Sequence, residues 1–335
     1  MIHQLVKREE GRYWQLSCCL GLLYLLLLPQ AAPCKATPRK AAPIKTVSGV
    51  QPYITVNFPN TEVGSYCLVK PGPVYTADVR LTDYKAARGT VNIPVSARLS
   101  LKLGYAVHGN TRLLKTIPAQ AVRYLDLEEM EIDNAEFQDL LHFTDLACLD
   151  MRGTDVNDGG TAGLRNLTKL QNLDIGFCPI GLATVEEISN LKELLRLSFA
   201  SNTLGDKAGP MLAKLKKLKV LVLSTTVMTD SCIKDIAVLS DLEELGLARN
   251  NVTDKCIDSI LKLKRLKRLN LADTRVTLAG LMRLNQLPAL THLLLRKSQL
   301  TAEQLKQLQK RLPSVTLEEG TKAKDLTPDL FKPLH

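Results

Sequence analysis

The sequence predicts an α/β solenoid: a parallel β-sheet lining the concave face of a horseshoe, short helices on its convex face, and a small β-rich module in front. Three observations predict it. After Ala121, aliphatic residues recur every 24 positions without a gap. Within each interval two aliphatics stand two apart, the period of a strand, and a later pair stands at helical spacing. Apolar residues make up 45% of the chain while aromatics make up only 4%, so leucine carries the core. A coil of this kind cannot bury its apolar edge alone, and stacking identical coils solves that problem.

Residues 1–33 read as an export signal. Lys7, Arg8 and Arg12 precede the apolar run Leu16–Leu28, which Pro29 ends and Ala31 and Ala32 follow. The run is short for a membrane span, which needs roughly 20 residues. An uncleaved short anchor is the alternative, and membrane contact is expected only through that segment. Cys34 after Ala31-Ala32-Pro33 fits a lipoprotein site poorly. Residues 34–50, rich in Pro, Ala and Lys, read as a solvated linker.

Residues 51–120 change to short runs bounded by Pro, Gly and Asn: Tyr53–Phe58, Ser65–Val69 before Pro71-Gly72-Pro73, Thr90–Ile93 and Leu99–Leu103. β-branched and aromatic residues so bounded predict strands.

Residues 121–319 hold the repeat and 320–335 a C-terminal tail. Leu125, Leu149, Leu173, Leu197, Leu221, Leu245, Leu269 and Leu293 form one inward column. Leu127, Met151, Ile175, Phe199, Leu223, Leu247, Leu271 and Leu295 form the next. A turn position holds Thr154, Cys178, Asn202, Thr226, Asn250, Thr274 and Ser298, polar groups able to bond adjacent turns as a ladder. Thr229-Asp230 and Thr253-Asp254 supply helix N-caps, and Thr301 with Gln304 suits a capping box. Cys232 and Cys256 fall at equivalent places on neighbouring helices, whose axes lie about 8–10 Å apart. That exceeds the reach of a disulfide, so two free, partly buried thiols are expected. The eight cysteines show no CxxC spacing.

The run Leu242-Glu243-Glu244-Leu245-Gly246-Leu247-Ala248-Arg249-Asn250-Asn251-Val252 carries the pattern LxxLxLxx(T/N/C)x(V/I/L). On it the chain resembles the leucine-rich-repeat superfamily over about residues 122–317. The Thr-Asp helix starts resemble those of exported bacterial leucine-rich-repeat proteins, and the cysteine-bearing repeats are similar to those of F-box proteins. The resemblance implies a protein-binding role. Without a signal at the N-terminus, an intracellular scaffold or F-box-like substrate receptor would be the reading instead.

If the leucines point inward, the residues between them form the concave surface. Its columns start with Asp126, Asp150 and Asp174; with Tyr124, Cys148, Asn172 and Arg196; and with Glu128 and Arg152. Phe177, Arg249 and Lys297 stand at strand exits, and the last coils carry Arg249, Arg268, Arg296 and Lys297. Arg and aromatic residues dominate interface energetics, so Tyr124, Asp126, Asp150, Arg152, Asp174, Phe177, Arg196, Arg249, Arg268 and Arg296 are the candidate contacts for a protein partner. The Asp row sets like charges about 4.8 Å apart with no evident cation. Solvation, a basic partner or a divalent ion would relieve it, though the dense acidic spacing of a calcium loop is absent.

A net charge of +10 favours anionic partners through a salt-screened field. Lys214, Lys216, Lys217 and Lys219, and Lys262, Lys264, Arg265, Lys267 and Arg268, predict a basic edge. That edge could hold an anionic cell-envelope polymer, or serve the helix C-termini and solubility. Export and the lack of interleaved aromatics argue against nucleic acid. No HExxH, GxSxG, P-loop or GxGxxG occurs, and an acidic row on an open sheet excludes no water. The sequence thus predicts no catalytic residue, no cofactor and no metal site.

Overall fold

The computed structural model describes residues 52–70, 80–296 and 299–319. The signal, the linker, the Pro71–Pro73 stop, Lys297, Ser298 and the tail lie outside the described residues.

The β-branched runs form strands where expected: β1 (Tyr53–Asn57), β2 (Gly64–Val69), β4 (Thr90–Pro94) and β5 (Arg98–Leu103), with a short β3 (Lys85–Ala86) that the sequence reading did not anticipate. β1 and β4 pair antiparallel as a separate two-stranded sheet. β2 pairs antiparallel with β5 and β3, and β5 then pairs parallel with β6 (Val122–Asp126).

From β6 the sheet runs through β7 (Cys148–Asp150), β8 (Asn172–Asp174), β9 (Arg196–Ser198), β10 (Val220–Val222), β11 (Glu244–Gly246), β12 (Arg268–Asn270), β13 (His292–Leu295) and β14 (Thr316–Glu319) in chain order, all parallel. The register is the sequence interval itself: Leu125 stands opposite Leu149, Leu149 opposite Leu173, and so on to Leu293 opposite Leu317. Leu101 opposite Leu125 carries the same offset back into β5. The inward leucines of β6 to β13 are 0–2% exposed, in one apolar cluster that runs from Val56 to Val315. Burying each such side chain stabilises the fold by about 1.5–3 kcal/mol.

Strands β6 to β12 each end in a sharp turn. Glu129, Phe177, Ser201, Thr225, Arg249 and Asp273 occupy left-handed backbone there (φ 55–61°), and Gly153 does so in the coil between Glu129 and Phe177 (φ 72°). The polar ladder then closes the turn. The Asn202 amide donates to Ile175 O (2.7 Å) and Phe199 O (3.1 Å), and Asn250 repeats this to Leu223 O (2.6 Å) and Leu247 O (3.1 Å). Cys178 is a member of the ladder, its thiol donating to Met151 O at 3.1 Å.

The helical side carries α1 (Asn134–Leu140), α2 (Leu182–Ile188), α3 (Gly209–Leu212), α4 (Asp230–Ile236), α5 (Ile257–Ile260), α6 (Leu278–Met282) and α7 (Ala302–Arg311), interspersed with 3-10 turns. Thr301 and Gln304 form the expected capping box. The aspartate of each Thr-Asp start does more than cap. Asp230 accepts from the Thr253 amide (2.8 Å) and hydroxyl (2.7 Å) of the next coil, and Asp254 accepts from Thr277 in the same way (2.8 and 2.6 Å). Cys232 and Cys256 are free as expected, but fully rather than partly buried. Burial, with nearby aspartates second, pushes both thiols up to about 12.

Candidate functional site

The strands put every second residue on the sheet face away from the core, where Asp126, Asp150 and Asp174 lie side by side in register. Each carboxylate first serves its own strand end. Asp126 Oδ1 accepts from the Glu128 amide (3.0 Å), Asp150 Oδ1 from Arg152 (3.0 Å) and Asp174 Oδ1 from Gly176 (2.8 Å). Asn270, in the same column, accepts from the Ala272 amide at 3.0 Å. A short polar side chain that bonds the amide two residues on is a local turn device, and it accounts for this column without an ion.

The cations missing from the sequence reading are also present. Lys102, one strand before the row, bonds Asp126 at 2.8 Å. Arg152 pairs with Glu128 and reaches Asp150 at 3.5 Å. Asp150 is 3% and Asp174 0% exposed. Burial, and then the neighbouring Asp174 charge, raises the Asp150 carboxyl far above its ordinary range, while Arg152 pulls it down. Burial also raises Asp174, against the Gly176 amide, Arg152 and Ser198.

The ten candidate contacts therefore differ in access. Tyr124, Asp150, Asp174 and Arg196 are buried, Asp126 and Arg152 are partly covered, and Phe177, Arg249, Arg268 and Arg296 reach solvent. Asp150 meets Arg152, whose charge also acts on Asp174. Arg249 and Arg296 converge on Asp273 from the two sides (3.6 and 2.8 Å), and Arg268 lies between Glu244 (3.8 Å) and Glu318 (3.5 Å). The structure thus brings the candidates into an acidic group on the first coils and a paired basic group on the last. It does not bring the two groups together, since they sit on different strands of one long sheet.

Two features escaped the sequence reading. Tyr105, on the 3-10 turn Tyr105–Val107 after β5, is 68% exposed and bonds Glu129 O through its hydroxyl at 3.2 Å, so it belongs to the same strand-exit rim as Phe177. The signal for it was Leu101, which stands 24 before Leu125. The basic edge is also an alternating one. Lys217 pairs with Glu193 (2.7 Å), Arg265 with Asp241 (2.7 Å), and Lys219 and Lys267 with Glu243 (3.3 and 2.7 Å).

Aliphatics repeating at 24, parallel strands in that same register and a buried ladder of Thr154, Cys178, Asn202, Thr226 and Asn250 at the turns after β7 to β11 together decide the architecture. This is a leucine-rich-repeat solenoid. No protein-family model matches the chain, and no curated protein sequence matches it. Solved structures similar to this leucine-rich-repeat chain include an internalin (InlF) from Listeria monocytogenes, 18% identical, covering 63% of this chain and 69% of that one with a TM-score of 0.46. Internalin C2 of the same organism is 24% identical over 56% of this chain and 84% of its own, with a TM-score of 0.42. A leucine-rich-repeat protein from Leptospira interrogans, LIC12759, is 23% identical over 62% and 56%, with a TM-score of 0.46. The identification rests on the coils of the chain itself.

Proposed function

We propose that this leucine-rich-repeat chain is a non-enzymatic binding protein that holds a protein partner on the outer face and strand-exit rim of its sheet. One observation carries the reading. The inward columns stay apolar from coil to coil, whereas the outward positions change chemistry along one continuous sheet: Tyr124 and Asp126 on β6, Cys148 and Asp150 on β7, Asn172 and Asp174 on β8, Arg196 and Ser198 on β9, Val220 and Val222 on β10, Glu244 and Gly246 on β11, Arg268 and Asn270 on β12. A repeating scaffold under a non-repeating surface is how a solenoid presents a specific extended interface. The signal-like segment of residues 1–33 supports export, and sequencing the N-terminus of the secreted protein tests that part.

The alternative of an envelope polymer on the basic edge gains little support from the ion pairs found there, which offset part of the positive charge that a polyanion would meet.

Capture of a partner by the full-length chain, with mutated chains as controls, tests the main reading. Arg249→Glu with Arg268→Glu, or Phe177→Ser, should weaken capture. Lys207→Glu, Lys234→Glu and Lys255→Glu, exposed on the helical side, should leave it intact. Loss through the helical-side changes alone would move the interface off the sheet. Reversing Asp150 and Asp174 is unsuited to this purpose, because two buried cations would test folding instead.

A further inference from the structure

The middle of the strand-exit rim carries an uncharged patch that the fold itself does not use. The turns after β8, β9 and β10 each show two residues to solvent, one on either side of the buried ladder residue. The first members are Phe177, Ser201 and Thr225. Their amides donate to Ala200 O (2.7 Å), Ser224 O (2.9 Å) and Ala248 O (2.8 Å), so they stand side by side in three consecutive coils. The second members are Pro179, Thr203 and Val227. Phe177 is 46% and Val227 54% exposed, and Pro179 also reaches solvent. Exposed apolar surface framed by polar residues marks a contact surface.

The backbone holds this patch under strain. Phe177 (φ 57°) and Val227 (φ 61°) occupy the left-handed region, which bulky and β-branched residues disfavour. At the Val227 position the other coils carry Glu131, Asp155, Pro179, Thr203, Asn251 and Arg275, none of them left-handed. Asn250 of the next coil is the cause. Its side-chain oxygen accepts from the amides of Thr226 (3.2 Å) and Met228 (2.9 Å). Two amides converging on one oxygen leave the residue between them projecting outward. Strain of this kind collects at binding sites.

The charges on either side select the occupant. Toward the first coils stand Glu129, Glu131 and Asp155, exposed carboxylates that no salt bridge reaches among the described residues. Toward the last coils stand Arg249, which shares Asp273 with Arg296, and the exposed Arg275, outside any salt bridge among the described residues. Strands about 4.8 Å apart put the coils of Asp155 and Arg249 about 19 Å from each other, a distance that about six extended residues cover. We infer that Phe177, Pro179 and Val227 receive an apolar side chain from an extended segment of the protein partner. The basic end of that segment lies on the carboxylates and its acidic end on Arg249 and Arg275, so charge fixes its direction. This rests on the reading of the sheet's outer face and rim as a protein-binding surface.

Selection of a random-peptide library on the immobilised full-length chain tests the assignment, followed by titration of the enriched peptides as synthetic compounds. The expected consensus holds an apolar residue between a basic and an acidic one. Affinity should fall about tenfold or more for Phe177→Ser and for Val227→Gly, as loss of an interface anchor implies. Val227→Gly should at the same time leave the denaturation midpoint at or above that of the parent, because glycine takes left-handed backbone freely. Glu129→Lys with Glu131→Lys should weaken the same peptides, and replacing their basic residue by Glu should restore binding to that charge-reversed chain. Four results would overturn the assignment: a consensus without the apolar residue, peptides that bind Phe177→Ser and Val227→Gly as tightly as the parent, a Val227→Gly chain that unfolds at lower denaturant, or no peptide that binds better than its scrambled control. If the enriched peptides are lost with Arg268→Glu yet unaffected by Val227→Gly, the rim site fails while the sheet-face reading stands.

Discussion

Asp150 and Asp174 show how a single residue can serve the backbone and still strain the electrostatics. Each carboxylate bonds an amide two residues on, yet each is buried beside the other. Burial first and then the Asp174 charge raise Asp150 to about 8, and burial raises Asp174 to about 6. A folded pKa above the unfolded value of about 3.9 means that the folded state binds the proton more tightly. The stabilisation from these groups is therefore complete below the unfolded pKa, and it is lost as pH rises through the carboxylate range to about 8. Denaturant midpoints across that range should fall with pH. Asp150→Asn should flatten the slope and raise stability at the alkaline end by about 1–2 kcal/mol, since Asn270 shows that an amide oxygen makes the same bond. An unchanged slope in that variant would show that the pair is not the source. Asn250 marks the opposite case, a buried polar group with every bond in place. Asn250→Ala should cost about 2–4 kcal/mol by leaving Leu223 O and the Met228 amide without it. Asn250→Thr should cost less, because Thr226 fills the equivalent place one coil earlier.

At the scale of the element, the helices are too short to stand alone. α3 and α5 have four residues each, well below the length at which an isolated helix forms in water. Neighbouring coils hold them, through the apolar face and through the Asp-to-Thr staples. Asp230→Ala should destabilise the chain by about 1–2 kcal/mol and speed amide exchange at Thr253, one coil away, while β6 keeps its protection. Exchange rising only within α4 would reduce Asp230 to an ordinary first-turn acid. The same 24-residue offset links Glu193 to Lys217, Asp241 to Arg265 and Glu243 to Lys267. These exposed pairs are worth little singly, so raising the salt concentration should move the unfolding midpoint only slightly.

For the whole molecule, stability is close to a sum over coils and their interfaces. Leu221, at the centre of the stack with neighbours on both sides, should cost about 2–5 kcal/mol on change to alanine. Leu317 is only partly buried at the end of the sheet, and the same change there should cost clearly less. Equal losses at both places, measured by denaturant unfolding, would contradict nearest-neighbour stacking. The outer face likewise changes along the chain, with Lys102 and Arg152 set among the carboxylates of the first coils and Arg249, Arg268 and Arg296 paired with acids on the last, so a partner lying along it meets a different set of ion pairs at each end.

The interval of 24 was enough to assign strand, turn and convex helical segment to the coils and to pick out the columns that face away from the core, although the coil after β7 carries only the 3-10 turn Leu164–Asn166 where a helix is expected. Periodicity encodes these directly, because residues that repeat along a coil must meet their equivalents in the next. Strands β1, β2, β4 and β5 were legible too, from β-branched runs bounded by turn residues. What the repeat could not convey was how long side chains settle across coils. Lys102 and Arg152 answering the Asp row, the lysine edge pairing with acids, and the Tyr105 hydroxyl bonding Glu129 O one coil on all depend on rotamers and burial. The sequence lists which residues become neighbours at a fixed offset. Only the stacked structure decides which of those neighbours touch, because side-chain reach and solvent exclusion exist only once the coils are packed.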